Sequence, residues 1–152
     1  MRNVYFVSLG CDKNLVDSEK MLSALSRAGW RITDQPEEAD AAVINSCCFI
    51  DDAKEESIGT ILELASYKET GRLRALIVAG CLAQRYREEI LSEMPEVDGI
   101  VGTSAADSLL QVLDECFEGG RPEAARMCFV YGLPGCFNCL CRRLRSVPDA
   151  CR

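Results

Sequence analysis

Ten cysteines and no histidine stand in this chain of 152 residues, so any metal it holds must be gripped mainly by thiolates, the ligands that suit zinc and iron–sulfur clusters. Cys11, Cys47 and Cys81 each follow a short apolar run that reads as a β-strand. If those strands are parallel, the three thiols emerge at their carboxyl ends, the edge of an open α/β sheet where ligands bind. Gly10 and Gly80 stand directly before two of the cysteines and let the backbone turn tightly towards a bulky ligand. The helices that follow would direct N-terminal amides at the site and favour thiolates. Three thiols on one rim, with no fourth in register, would leave one metal position open. The plain alternative stands beside this one: a free Cys is among the most buried residue types, and each thiol would then be ordinary core. Spacings of about 35 residues match no short metal motif, so the metal reading depends on the fold.

Other chemistry on the same rim fails on residue type. A phosphatase-like nucleophile needs an Arg in its loop, whereas Cys11 is followed by Asp12-Lys13-Asn14-Leu15-Val16-Asp17. A glycine-rich phosphate loop and a GxGxxG turn are both missing. The body of the chain has no Cys-x-x-Cys redox pair, and the adjacent Cys47 and Cys48 would join only under strain. Cys48 is therefore read as occupying a small-residue position rather than as a further ligand.

The elements that must place these thiols alternate between strand and helix. Val4–Leu9, Trp30–Thr33, Ala41–Ile44, Ala75–Ala79 and Gly99–Val101 read as strands. Helices are predicted over Asp17–Ala28, with Met21, Leu22 and Leu25 inward, and over Asp52–Tyr67, with Ile58, Ile61, Leu62 and Ala65 at helical period. Two more run from Ala83 to Met94, stopped by Pro95, and from Ser104 to Phe117, with Leu109, Val112, Leu113, Cys116 and Phe117 inward. The pattern predicts an α/β fold: an open, mostly parallel sheet with helices on both faces. Residues 1–120 form this domain, and 121–152 are an irregular Cys- and Arg-rich tail.

Composition narrows the setting. With 48% apolar and 27% charged residues, the chain supports one ordinary core and is not disordered in bulk. No apolar run approaches the ~20 residues of a membrane span, and no export signal opens the chain, so a cytoplasmic location is expected. The net charge is −7. Five Arg against one Asp after residue 125 leave that end at +4, so the residues before it carry −11. An acidic body speaks against direct nucleic-acid binding. A monomer is expected.

Three stretches resemble one family. Ser8-Leu9-Gly10-Cys11-Asp12-Lys13-Asn14-Leu15-Val16-Asp17-Ser18-Glu19, Asn45-Ser46-Cys47-Cys48-Phe49-Ile50 with Ala53–Ser57, and Gly80-Cys81-Leu82-Ala83-Gln84-Arg85-Tyr86 resemble the motifs of the radical-SAM methylthiotransferases. Among these they look like the RimO branch, which modifies an aspartate on a small-subunit ribosomal protein; the tRNA-modifying MiaB branch is similar. The resemblance implies that Cys11, Cys47 and Cys81 bind an auxiliary 4Fe-4S cluster used in sulfur insertion. It also implies that S-adenosylmethionine and a second cluster act in a radical domain, which is expected only in a full-length relative. Asn14 and Asn45, beside these ligands, would either donate hydrogen bonds to cluster sulfur or cap their own loops.

Cys48 stands where the RimO pattern commonly has Gly. The resemblance fails after about residue 125, and Cys136-x2-Cys139-x-Cys141 does not have the radical-loop spacing. The tail is read as truncated or frame-shifted sequence, and the chain as an N-terminal part that is inactive alone. Three alternatives remain open: a fragment of a tRNA methylthiotransferase of the MiaB branch, a non-catalytic α/β binding module with structural thiols, and a zinc site built on tail cysteines with Cys128 or Cys151.

Overall fold

Strands covered on both faces are mostly apolar, and here two of them are buried at every position. In the computed structural model, which describes residues 1–49, 51–103 and 106–118, β3 (Ala41–Ser46) and β4 (Ala75–Gly80) are buried along their whole length. They sit near the middle of a five-stranded sheet with β1 (Asn3–Ser8), β2 (Arg31–Thr33) and β5 (Gly99–Val101), in the order β2-β1-β3-β4-β5. Every neighbouring pair is parallel. The expected α/β class therefore forms, with a sheet that is wholly parallel.

Two cores lie on opposite faces of this sheet. On one, α1 (Asp12–Arg27) and α5 (Ala106–Phe117) bring Met21, Leu25, Leu109, Val112 and Leu113 against Val4, Val43 and Ile77. On the other, α2 (Asp51–Thr70), α3 (Cys81–Arg85) and α4 (Arg87–Glu93) bring Ile61, Leu64, Leu82 and Ile90 against Ala42, Ile44, Leu76 and Val78. Each fully buried Leu or Ile among them contributes about 1.5–3 kcal/mol. α1 ends in a Schellman turn: the Gly29 amide donates to Ser26 O at 3.1 Å and the Trp30 amide to Leu25 O at 3.0 Å, with Gly29 at φ +83°.

Three helices depart from expectation. α1 begins at Asp12, five residues before the predicted start, because its inner stripe opens with polar residues. Asn14, Asp17 and Ser18 are buried in the same stripe as Met21, Ala24 and Leu25. α2 buries Ser57, Ile61, Leu64 and Ala65, while Leu62 is 53% exposed, so its inner face is rotated from the predicted one. The helix predicted over 83–94 starts at Cys81 and is divided at Tyr86, where φ −118° and ψ 33° leave the helical region. The Tyr86 ring there meets Lys54 Nζ at 4.2 Å. The readings placed on residues 121–152, including the tail cysteines, lie outside the described residues.

Candidate metal centre

Strand order decides where a ligand can enter. From β1 the chain passes to β2 on one side and then to β3 on the other, and the helices after β1 and β3 cover opposite faces. A crevice therefore opens at the carboxyl ends of β1 and β3, the switch point of a doubly wound sheet. Cys47 directly follows β3, and Cys11 follows β1 after Leu9 and Gly10. Cys81 directly follows β4, the next strand along.

The three strands end level. Ser8 is the register partner of Asn45, and Ser46 that of Gly80. Gly10 folds over Cys47 so closely that a Cβ there would collide with Cys47 Cβ and lie 2.6 Å from Cys47 Sγ. Gly10 and Gly80 hold φ +99° and +92°, which L side chains rarely adopt. The tight turns expected from these two glycines are thus present, and each has a neighbour that excludes a larger residue.

The thiols differ in environment. Cys11 is exposed at the N-cap of α1; the Asn14 amide, then that of Lys13, holds its thiol below the ordinary range. Cys81 is half-buried. Burial raises its pKa first, the neighbouring Cys48 raises it further, Lys13 opposes, and Cys47 and Cys11 add to the rise. The four thiols are thus electrostatic neighbours. Cys47 is buried, and its backbone is held by Ser57, whose hydroxyl lies 3.1 Å from the Cys47 amide and 3.0 Å from its carbonyl. Cys48 packs against the core beneath α2 and α3, as a space-filling side chain would. Cys116 lies apart on α5, where burial, then the Asp98 carboxylate, pushes its thiol up to about 12.

Asn14 and Asn45 have their amide hydrogens engaged by the protein. Asn14 Nδ2 donates to Leu9 O at 2.7 Å and to Ser46 O at 2.9 Å. Asn45 Nδ2 donates to Asn14 O and to Ser18 Oγ, both at 2.9 Å. These amide hydrogens join the loops to one another, and Asn14 Oδ1 faces the Cys81 thiol at 3.9 Å. The residues missed from sequence are Ser8, Ser18, Ser46 and Ser57, with Lys13. The signal of the four serines was position within a buried helical stripe or at a strand end, which a search for apolar residues passes over, while Lys13, exposed in the first turn of α1, gave none. Among the described residues no three Cys, Asp or Glu side chains stand close enough to hold one metal ion. A cleft of about 300 Å³ lined by Arg2, Gly29, Trp30 and Asp114 lies at the opposite, amino edge of the sheet and touches no cysteine.

Residues 3–102, which include all three motif stretches, match the uncharacterized protein family UPF0004. The chain belongs to that family. It is 56% identical over 121 residues to the ribosomal protein uS12 methylthiotransferase RimO of Lachnoclostridium phytofermentans, covering 80% of this chain and 28% of that protein. The protein of the same name from Pelotomaculum thermopropionicum is 56% identical over 115 residues, with 76% and 26% covered. That of Solibacter usitatus is 54% identical over 111 residues, with 73% and 24% covered. The resemblance to the RimO branch is thereby borne out, and the chain spans about a quarter of the length of the curated relatives it matches. Among the described residues no helix is long and apolar enough to cross a membrane.

Proposed function

We propose that Cys11, Cys47 and Cys81 are the protein ligands of a 4Fe-4S cluster, and that this chain supplies the cluster-binding part of a methylthiotransferase acting on ribosomal protein uS12. One observation carries the reading: three cysteines follow three adjacent parallel strands that end level, two of them at the switch point. The donor set fits, since it is built of thiols in a chain without His. A Cβ at Gly10 would stand 2.6 Å from Cys47 Sγ, so the glycine keeps a side chain off that sulfur. A single zinc ion, with Zn–S near ~2.3 Å, needs its thiolates tightly closed, whereas a cluster spreads them over separate irons.

When bound, such a cluster supplies one iron without a protein ligand, open to an exogenous sulfur species. The chain's own residues prepare the ligands. The first-turn amides of α1 favour the Cys11 thiolate, and Lys13 offsets part of the penalty that burial places on Cys81. Ser57 fixes the backbone of Cys47. Loading releases the thiol protons, so uptake should strengthen as pH rises. S-adenosylmethionine and a second cluster are assigned to the part of the relatives that this chain does not span. The names of the relatives favour a ribosomal-protein substrate over tRNA, and the acidic charge before residue 126 favours a protein partner.

Anaerobic reconstitution with iron and sulfide tests the ligand set. The wild-type chain should take up both and gain visible charge-transfer absorption, and Cys11→Ala, Cys47→Ala and Cys81→Ala combined should abolish both signals. Uptake unchanged in the triple variant would refute the assignment. A second reading has one observation in its favour: Cys47 is 2% exposed, as a structural thiol would be. It predicts that Cys47→Ser lowers the unfolding midpoint and leaves iron uptake intact.

A further inference from the structure

We propose that Asn14 is a positioning residue that sets the spacing of the three thiol-bearing loops through one side chain that touches each of them; this rests on the three-thiol reading above. Asn14 is 1% exposed. Its amide has two hydrogens, and both are used: one reaches Leu9 O at 2.7 Å, on the turn leading to Cys11, and the other reaches Ser46 O at 2.9 Å, directly before Cys47. Its Oδ1 accepts from the Cys81 thiol at 3.9 Å, a weak S–H bond. One planar group thus joins the ends of β1, β3 and β4 across the crevice.

The orientation of that group is fixed by what surrounds it. Turning the amide over would aim its oxygen at two carbonyls, so the hydrogen-bond pattern selects a single placement. The Asn14 carbonyl accepts from Asn45 Nδ2 at 2.9 Å and from Ser18 Oγ at 2.7 Å. Ser18 Oγ in turn lies 2.7 Å from Ser8 Oγ, at the end of β1. No other residue type makes the same three contacts. Asp has the shape without the donors, Gln carries an extra methylene, and Ser reaches only one partner. Asn14 therefore holds the turn before Cys11 and the end of β3 by its two donors and meets the Cys81 thiol with its oxygen.

The test uses the complete chain under anaerobic conditions, as wild type, Asn14→Asp and Val112→Ala. Val112 is buried in the core between α5 and the sheet and serves as a control for lost stability alone. Three quantities are read: the urea unfolding midpoint, the apparent affinity for iron supplied with sulfide, and the yield of each Cys11, Cys47 and Cys81 pair joined by a short bifunctional maleimide in the metal-free protein. At a temperature where every version is folded, Asn14→Asp should load iron about 10–100-fold more weakly, the usual effect of losing a group that orients ligands. It should also redistribute the cross-linked pairs, while Val112→Ala lowers the midpoint and changes neither. Wild-type affinity and cross-links in Asn14→Asp would overturn the inference, as would an equal loss of affinity in Val112→Ala. If Asn14→Asp does not fold, Asn14→Ser, which keeps one donor, takes its place in the same comparison. If the wild type takes up no iron, the three-thiol reading fails, and the cross-links alone decide whether Asn14 spaces the loops: unchanged pairs overturn it, redistributed pairs support it.

Discussion

Gly80→Ala against Gly29→Ala separates close packing at the rim from the ordinary cost of a left-handed glycine. Gly80 holds φ 92° and ψ −158°, a region that is almost exclusively glycine's and costs another residue about 1–3 kcal/mol. A Cβ there would also press on Ser46 O and stand 2.5 Å from Asn45 Oδ1. Neither neighbour can retreat cheaply, since the first is backbone and the second belongs to an amide held by two hydrogen bonds. Overpacking of this kind costs about 1–3 kcal/mol more, so Gly80→Ala should lose about 2–6 kcal/mol in all. Gly29 has φ +83° and no atom within 4 Å of an added Cβ, so Gly29→Ala carries only the backbone cost of about 1–2 kcal/mol. Urea unfolding of the metal-free chain measures both. With a slope of about 2 kcal/mol/M, the midpoint should fall by roughly 1–3 M for Gly80→Ala and by about 1 M or less for Gly29→Ala. Equal losses in the two variants would refute the claim that β4 ends pressed against β3 at this point.

Three further predictions follow from charge and burial. Cys116 has its pKa pushed up to about 12, so the folded state binds the thiol proton more tightly than the unfolded one. Its contribution is complete below the unfolded-state pKa and lost as pH rises towards 12, so the stability of wild type relative to Cys116→Ala should decline through that alkaline range in chemical denaturation. Alkylation by iodoacetamide, located by mass spectrometry on the metal-free protein, should modify Cys11 at lower pH than Cys81, and Cys116 last, following their opposite shifts. Asp98 Oδ2 accepts from Lys68 Nζ at 2.5 Å and from the Leu76 amide at 2.8 Å. Asp98→Ala should cost about 2–3 kcal/mol because a buried strand amide loses its partner, and Lys68→Ala about 1 kcal/mol or less, as for a partly exposed ion pair; thermal or urea melts distinguish them.

Apolar patterning carried most of the fold. Ala41–Ile44 and Ala75–Ala79 are continuous apolar runs because both faces of β3 and β4 are covered, and Leu109, Val112 and Leu113 were legible as the inner face of α5 for the same reason. Patterning failed where one face of a helix was chosen among several apolar candidates. Ile58 and Leu62 were expected inward beside Ile61 and Ala65, but Leu62 is exposed and Leu64 takes the inner position. Ser57 lies in that stripe one turn before Ile61, so a polar residue completes what an apolar count misplaces. The division at Tyr86 leaves no Gly or Pro breaker in the sequence, and it shows only in the backbone angles there.

The same blindness explains which part of the rim was legible. The three cysteines were singled out among ten because each follows an apolar run and lies in a family motif, and the topology brings their strand ends together. The frame that holds them was passed over because it is made of residues whose usual place is a cap or a turn. Asn14, Ser18, Met21 and Leu25 follow one another along the inner stripe of α1. The helix thus changes from polar to apolar contact as it runs away from the crevice. A polar start to a buried stripe costs stability unless every donor has a partner, and here the amide hydrogens of Asn14 and Asn45 are all paired, leaving Asn45 Oδ1 as the unpartnered buried side-chain atom among the described residues. That oxygen lies against Gly80, beside the turn into Cys81. A core chosen for stability alone would fill such a position with a hydrocarbon side chain. Polar groups placed only behind the thiols, and nearly all satisfied, are what a rim needs if it must keep its loops at set distances while its sulfurs remain free to bind.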